Sequence, residues 1–337
     1  MRYRVRVGMM LVLSCLFCGM LIGCSAEGGN SEDTHIEAEV LVEDAKEAAF
    51  MMIPLQNGYG DISVPTQITK IGDLYYVVDC YHNQVICNEN LEDIIWDWQV
   101  VTYGLGMGHT IASDGEVYLI DDTENHRVLV FEYVDNVFVN TQVFEGIGNR
   151  PHYIVYNEAD KCFYVWSSMT GQMYVMKHDE GSKQMYISRI MTIEELDGVY
   201  ARSFTLDGDS IYIVSGNKQI LEVATSNFKI KHRYQVPDSM AGMVQIMPVD
   251  GGYYITISTD ASGNQDYATI IFTEKLEDLE DNKYTDIYSY FIGGGTPYYI
   301  GEIDGKYYLT EHRIIGHTIW SFDIDENHMP TNVVALY

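Results

Sequence analysis

The sequence predicts an all-β chain folded as a six-bladed β-propeller. Three observations lead there: a tyrosine-bearing strand recurs six times, the copies are spaced widely enough for four short strands each, and most copies follow an Asp/Gly turn. The first copy reads Gly72-Asp73-Leu74-Tyr75-Tyr76-Val77-Val78-Asp79 and the second Asp114-Gly115-Glu116-Val117-Tyr118-Leu119-Ile120-Asp121. Later copies centre on Tyr164, Tyr212, Tyr254 and Tyr308, so that successive anchor tyrosines lie 42 to 54 positions apart. That interval is the length of a propeller blade, and a β-sandwich would not show one internal signature repeated along the chain. Seven blades are the alternative, if residues 36–64 hold a degenerate copy.

Within each repeat, strand A meets strand B at the Asp/Gly turn, strand C follows through a polar loop such as residues 121–127, and C runs into D. Tyr, Val and Ile fill these runs without helical spacing, as strands require. The propeller is expected to span residues 64–337 and to end on a D-like strand over 332–337. Residues 36–63 form a separate N-terminal segment. Residues 39–42 read as a strand and 43–52 as a helix, and the segment offers an outer strand that would help close the ring and remove a free sheet edge.

The N-terminal residues 1–23 read as a signal peptide: Arg2, Arg4 and Arg6 precede an uncharged apolar run over 7–22, too short for an ordinary bilayer span. Leu21-Ile22-Gly23-Cys24 resembles the lipobox of bacterial lipoproteins. That resemblance implies cleavage before Cys24, lipidation of its thiol and residence on the extracytoplasmic face of the cell membrane. Ser25 is not the aspartate that resembles an inner-membrane retention signal. Residues 24–35, rich in Gly, Ser and acids, read as a flexible lipidated tether.

The chain carries 20 basic and 49 acidic side chains, a net charge of −29, and loss of the signal removes three arginines more. A field of that sign repels nucleic acid and anionic headgroups, which excludes both as expected partners; the membrane is reached through the lipid alone. Beyond Cys24 the cysteines are Cys80, Cys87 and Cys162, an odd number outside any CxxC pattern, which suits buried free thiols better than a disulfide framework.

The second repeat resembles an NHL repeat: the Asp114-Gly115 turn, the strand through Asp121, then Asn125-His126-Arg127-Val128-Leu129-Val130-Phe131. The first repeat is a looser copy with Asp79, His82-Asn83 and Val85-Ile86, and the other four keep only the tyrosine strand. The resemblance implies a propeller over roughly 270 residues. NHL-like propellers include partner-binding domains, sensors, lyases and lactonases, so it implies a fold more strongly than an activity.

Chain direction places the starts of the A strands and the ends of the B strands on one face around the axis. Aligning the first set gives Thr66, His109, His152, Arg202, Met243 and Tyr298; aligning the second gives Asp79, Asp121, Ser167, Ser215 and Glu311. Such a mixed ring suits a small polar ligand, since imidazole and guanidinium groups donate to oxyanions and carboxylates accept from hydroxyl or ammonium groups. The alternative is that these side chains cap blade edges, and Asp121 is expected to pair with Arg127 across its own hairpin. Zinc held by His109, His152 and a carboxylate is the sharpest chemical possibility, but the spacing is weak, and no metal, cofactor or catalytic residue is assigned. No Glu-Gly-Pro opens the first blade, a departure from the gluconolactonase pattern.

Three further features read as structural. Trp96 and Trp98 are expected in a D strand, packing between blades or at the rim. The glycines at 104, 106 and 108, and those at 293–295, read as turns between blades. The acidic run 274–281 reads as an exposed loop or short helix. The leading functional reading is a monomeric, non-catalytic envelope lipoprotein that binds a small polar ligand or an envelope protein. The alternative is an extracytoplasmic metal-dependent lyase or lactonase using the axial ring.

Overall fold

Strand B of each repeat is apolar on both sides, because each sheet is buried on both faces. In the first blade Tyr76 and Val78 face one neighbour and Val77 the other; in the fourth, Tyr212 and Val214 face one and Ile211 and Ile213 the other. This period-two division gives six apolar clusters, one at each junction between adjacent blades. The core of the molecule is therefore a ring of seams, with each fully buried Val, Ile or Leu contributing roughly 1.5–3 kcal/mol.

The computed structural model describes residues 55–314 and 316–337. The expected signal peptide, Cys24, tether and residues 36–54 lie outside the described residues. Six sheets are present, each antiparallel with its strands in chain order, A to D. The A strands meet one another around the axis. They run Pro65–Ile71, Ile111–Ser113, Pro151–Asn157, Ser203–Asp207, Met243–Val249 and Thr296–Ile303. The last blade ends on Pro330–Ala335, so all four strands of every blade come from one continuous stretch of chain.

Leu55–Gln56 adds a fifth strand to the first blade, pairing antiparallel with Gln99–Tyr103. It covers the outer edge of that blade and does not bridge to the sixth. Closure comes instead from packing: Ile68, Val77 and Ile86 of blade 1 meet Ile303, Tyr308 and Ile319 of blade 6. Tyr337 reaches across the seam. Its hydroxyl donates to the carbonyls of Leu91 and Asp93, and its ring meets Trp98 edge-on at 6.1 Å.

The anchor tyrosines all lie in strand B and are buried, but blade 2 is displaced by one residue. Tyr76 faces blade 2, and Tyr118 faces back toward blade 1 in the same cluster, with the two rings 5.9 Å apart. The left-handed residue closing each B–C loop fixes the true frame, Asn83 in blade 1 and His126 in blade 2. It makes Leu119 the counterpart of Tyr76 and Asp122 the counterpart of Asp79. A slip of one position exchanges the two faces of a strand, which is why the tyrosine alone misleads here.

Other expectations are corrected in detail. Trp98 is fully buried and Trp96 is 53% exposed, and neither lies in a D strand; Trp96 belongs to the short 3-10 turn Ile95–Asp97. Arg127 pairs with Asp122 at 2.7 Å, not with Asp121. Cys80 and Cys87 are buried free thiols, while Cys162 is only half-buried. Within the acidic run, Leu276–Leu279 forms a 3-10 turn that buries both of its leucines.

Candidate axial site

Irregularity in the innermost strands creates the site. In blades 1, 3, 5 and 6 the A–B register shifts between Pro65 and Gln67, Pro151 and Tyr153, Met243 and Gln245, and Pro297 and Tyr299. A bulge re-aims the extra residue out of the ladder. The extra residues are Thr66, His152, Val244 and Tyr298; in blades 2 and 4, His109 and Arg202 precede the first paired residue. All six line one small axial pocket, together with Tyr153, Ser203, Gln245 and Tyr299.

Two positions after each lies a fully buried residue, in order Ile68, Ile111, Ile154, Phe204, Ile246 and Ile300. That apolar peg fixes the frame and corrects one expectation. Met243 is a core residue of the blade 4/5 seam, and Val244 takes the ring position. The peg was visible in the sequence; counting back two residues from it would have found Val244.

Thr66, His109, His152, Arg202 and Tyr298 are thus brought together, as expected. His109 and His152 are 6% and 3% exposed and stack with centroids 3.8 Å apart and 18° between planes. Burial lowers the pKa of His109 to about 3, assisted by the positive charges of Arg202 and Arg150. His152 is driven well below its ordinary value by burial first, then by His109, Arg202 and Arg150. Both imidazoles are therefore neutral. His152 Nε2 lies 3.0 Å from the Tyr200 hydroxyl, while Nδ1 of each ring is buried with no hydrogen-bond partner.

In the same pocket Arg202 lies against the rings of Tyr200 and Tyr298, at 5.3 and 6.0 Å from their centroids, and donates to Ser258 Oγ at 2.7 Å. Arg150 lies 5.9 Å from the Tyr200 ring. His312, beside Tyr298 at 5.6 Å, is lowered to about 4 by burial and by Arg313 and Arg202. Tyr200, Ser258, Arg150 and His312 lie outside the aligned strand starts, so the repeat does not point to them.

The carboxylates do not join this ring. Asp121 accepts from the backbone N–H of His109 and Thr110 at 3.0 and 2.6 Å and from the hydroxyls of Thr110 and Thr123. It replaces ladder hydrogen bonds where strand A of blade 2 has not yet begun, and so holds His109 in place. Gly108 permits this approach, since a Cβ there would sit 2.9 Å from the Asp121 carbonyl oxygen. Asp79 accepts from the N–H of Ser63 and Val64 and binds His82 Nδ1 at 2.6 Å. Glu311 accepts from the Tyr288 hydroxyl and from Trp320 Nε1. All three carboxylates are fully buried.

The imagined zinc set is not assembled. Nearly parallel stacked imidazoles direct their in-plane lone pairs along separate lines, and the nearby carboxylate oxygens are already engaged. Among the described residues no three His, Cys, Asp or Glu side chains are grouped as metal ligands.

The sequence matches no known protein-family profile and no curated protein. Similar architectures exist among solved structures. A candidate 6-phosphogluconolactonase from Bacteroides fragilis superposes with a TM-score of 0.58 at 13% identity, over 80% of this chain and 84% of that one. A catalytically inactive virginiamycin B lyase from Staphylococcus aureus, solved with quinupristin, gives 0.54 at 14% identity over 83% and 86%. The WD40 β-propeller domain of Doa1 gives 0.54 at 14% identity over 83% and 84%. What these share with the chain is the propeller fold. At such identity a fold hosts unrelated activities, and the site must be argued from its own residues.

Proposed function

We propose that the chain is a cell-envelope lipoprotein, lipidated at Cys24, whose propeller binds a small polar ligand at the axial mouth without transforming it. The observation that carries this reading is a concave cluster of His109, His152, Arg202 and Tyr298 at the point where all six blades converge. The lipobox-like Leu21-Ile22-Gly23-Cys24 and the acidic, tethered chain support an extracytoplasmic address.

The second reading is a lyase or lactonase, favoured by the architectures of the Bacteroides and Staphylococcus proteins. The axial geometry favours binding over that chemistry. A general base works best with a pKa near the working pH, whereas both imidazoles are strongly depressed in basicity, and the carboxylates are saturated. The test has two arms. Full-length protein expressed in a bacterial host should partition to membranes and lose that partition in Cys24→Ala. Native mass spectrometry of the same preparation should show a retained small molecule that is released unchanged. Turnover of 6-phosphogluconolactone or quinupristin, abolished in His152→Ala, would overturn the non-catalytic reading.

A further inference from the structure

We infer that the ligand of the axial mouth is an oxyanion, a carboxylate or phosphate borne on a small organic molecule, with Arg202 as its principal anchor. This rests on the proposed binding role of the same mouth. Charge distribution is the first ground. Only six arginines follow Cys24 in a chain with 49 acidic side chains, yet Arg150 and Arg202 lie against one tyrosine ring, and Arg202 and Arg313 both act on His312. Gathering like charges costs Coulomb energy, and an anion placed among them recovers it.

Pairing is the second ground. Arg127 is matched by Asp122 and Glu145, Arg233 by Glu195 and Arg150 by Glu124. Among the described residues no carboxylate oxygen lies within 4.0 Å of Arg202, Arg313 or Arg189; Arg189 is exposed on the outer strand of blade 3, whereas Arg202 lines the axial cavity. The recorded side-chain partners of Arg202 and Arg313 are the neutral hydroxyls of Ser258 and Thr296. Arg202 therefore uses one of its five N–H donors on Ser258, and its planar fork is the group that grips a carboxylate or phosphate in bidentate fashion.

The stacked imidazoles beside it are the third. His109 and His152 are more than nine-tenths buried, line the cavity, and each keep an unpartnered Nδ1. Being neutral, each imidazole presents one N–H and one bare nitrogen, so the pair can donate to an oxyanion without adding a full charge. Tyr298 and Tyr299, which line the cavity, supply apolar walls for the organic body of the ligand.

The test is calorimetric titration of the full-length lipoprotein in neutral detergent with three probes: inorganic phosphate, benzoate and the uncharged benzyl alcohol. Phosphate, benzoate or both should bind, and benzyl alcohol should bind more weakly. Tighter phosphate than benzoate assigns a phosphate ligand, and the reverse a carboxylate. Arg202→Gln, which keeps a donor for Ser258, should weaken the better anion roughly 10–100-fold. Arg202→Lys should lose part of that, Arg150→Gln less, and Arg233→Gln, on the outer surface, nothing. Unchanged thermal unfolding of Arg202→Gln keeps folding out of the comparison. Equal affinity of Arg202→Gln and the parent, or no binding of either anion, overturns the inference. An uncharged molecule retained at the mouth in the native mass spectrum overturns it too while leaving the binding role standing; an empty mouth that takes none of the probes removes both.

Discussion

Two sets of polar groups sit back to back in the same blades: the side chains that line the axis and the buried carboxylates Asp79, Asp121 and Glu311. They differ in how their polar atoms are satisfied. Asp121 engages both oxygens with four donors from its own blade, whereas His109, whose backbone Asp121 holds, leaves Nδ1 without a partner. A buried polar group with every bond made rigidifies the fold, and one left incomplete at a cavity is available to something else. The difference separates scaffold from site more reliably than residue type, since both sets include buried polar side chains.

The largest effect should come from breaking the scaffold side. Asp121→Ala strands two backbone N–H groups and the Thr110 hydroxyl, while the Thr123 hydroxyl keeps the Pro151 carbonyl; at about 1–3 kcal/mol for each buried group left unsatisfied it should cost at least about 3 kcal/mol in urea unfolding. Arg202→Ala on the site side should change stability by less than about 1 kcal/mol. If the two variants were equally destabilised, the division between them would fail. Next in size is the frame of the inner strand in blade 5. Met243→Ala removes a core side chain of the blade 4/5 seam and should cost about 2–5 kcal/mol, while Val244→Ala enlarges an existing cavity and should cost about 1 kcal/mol. The opposite order would return Met243 to the axis.

Much of this architecture was legible because a propeller repeats. The anchor tyrosines marked six B strands, and the A-strand starts delivered five of the six axial residues. What escaped was local register. The bulge at Val244 moves one residue into the ring and its neighbour into the core, and the displaced tyrosine of blade 2 concealed Asp122 behind Asp121. Bulges depend on how one strand meets its partner, so a count along one strand does not reveal them. The carboxylates were placed on the correct face, but their direction was not legible, because it follows from unpaired N–H groups in a neighbouring segment. Tyr200 and Ser258 lie in connections with no repeat to align, and only the folded ring brings them to Arg202.

The pH response is the most discriminating test, because the two regions should respond with opposite sign. Asp121 titrates near pH 6 in the folded protein against 3.8 when unperturbed, burial outweighing the hydrogen bonds from Thr123, Thr110 and His109. Between those values the folded state holds the extra proton, so this group's contribution to stability falls as pH rises. His109 is held near 3 against 6.5, so there the unfolded chain binds the extra proton and stability falls as pH drops; His152 acts in the same direction. Each group contributes a slope of at most about 1.4 kcal/mol per pH unit. Two imidazoles outweigh one carboxylate, and the protein should lose stability on acidification from pH 6.5 toward about 4. His109→Gln should flatten that decline and Asp121→Asn should steepen it, as read from urea midpoints across the interval. Were both substitutions to leave the slope unchanged, the imidazoles would not be the enclosed neutral groups from which the axial site is built.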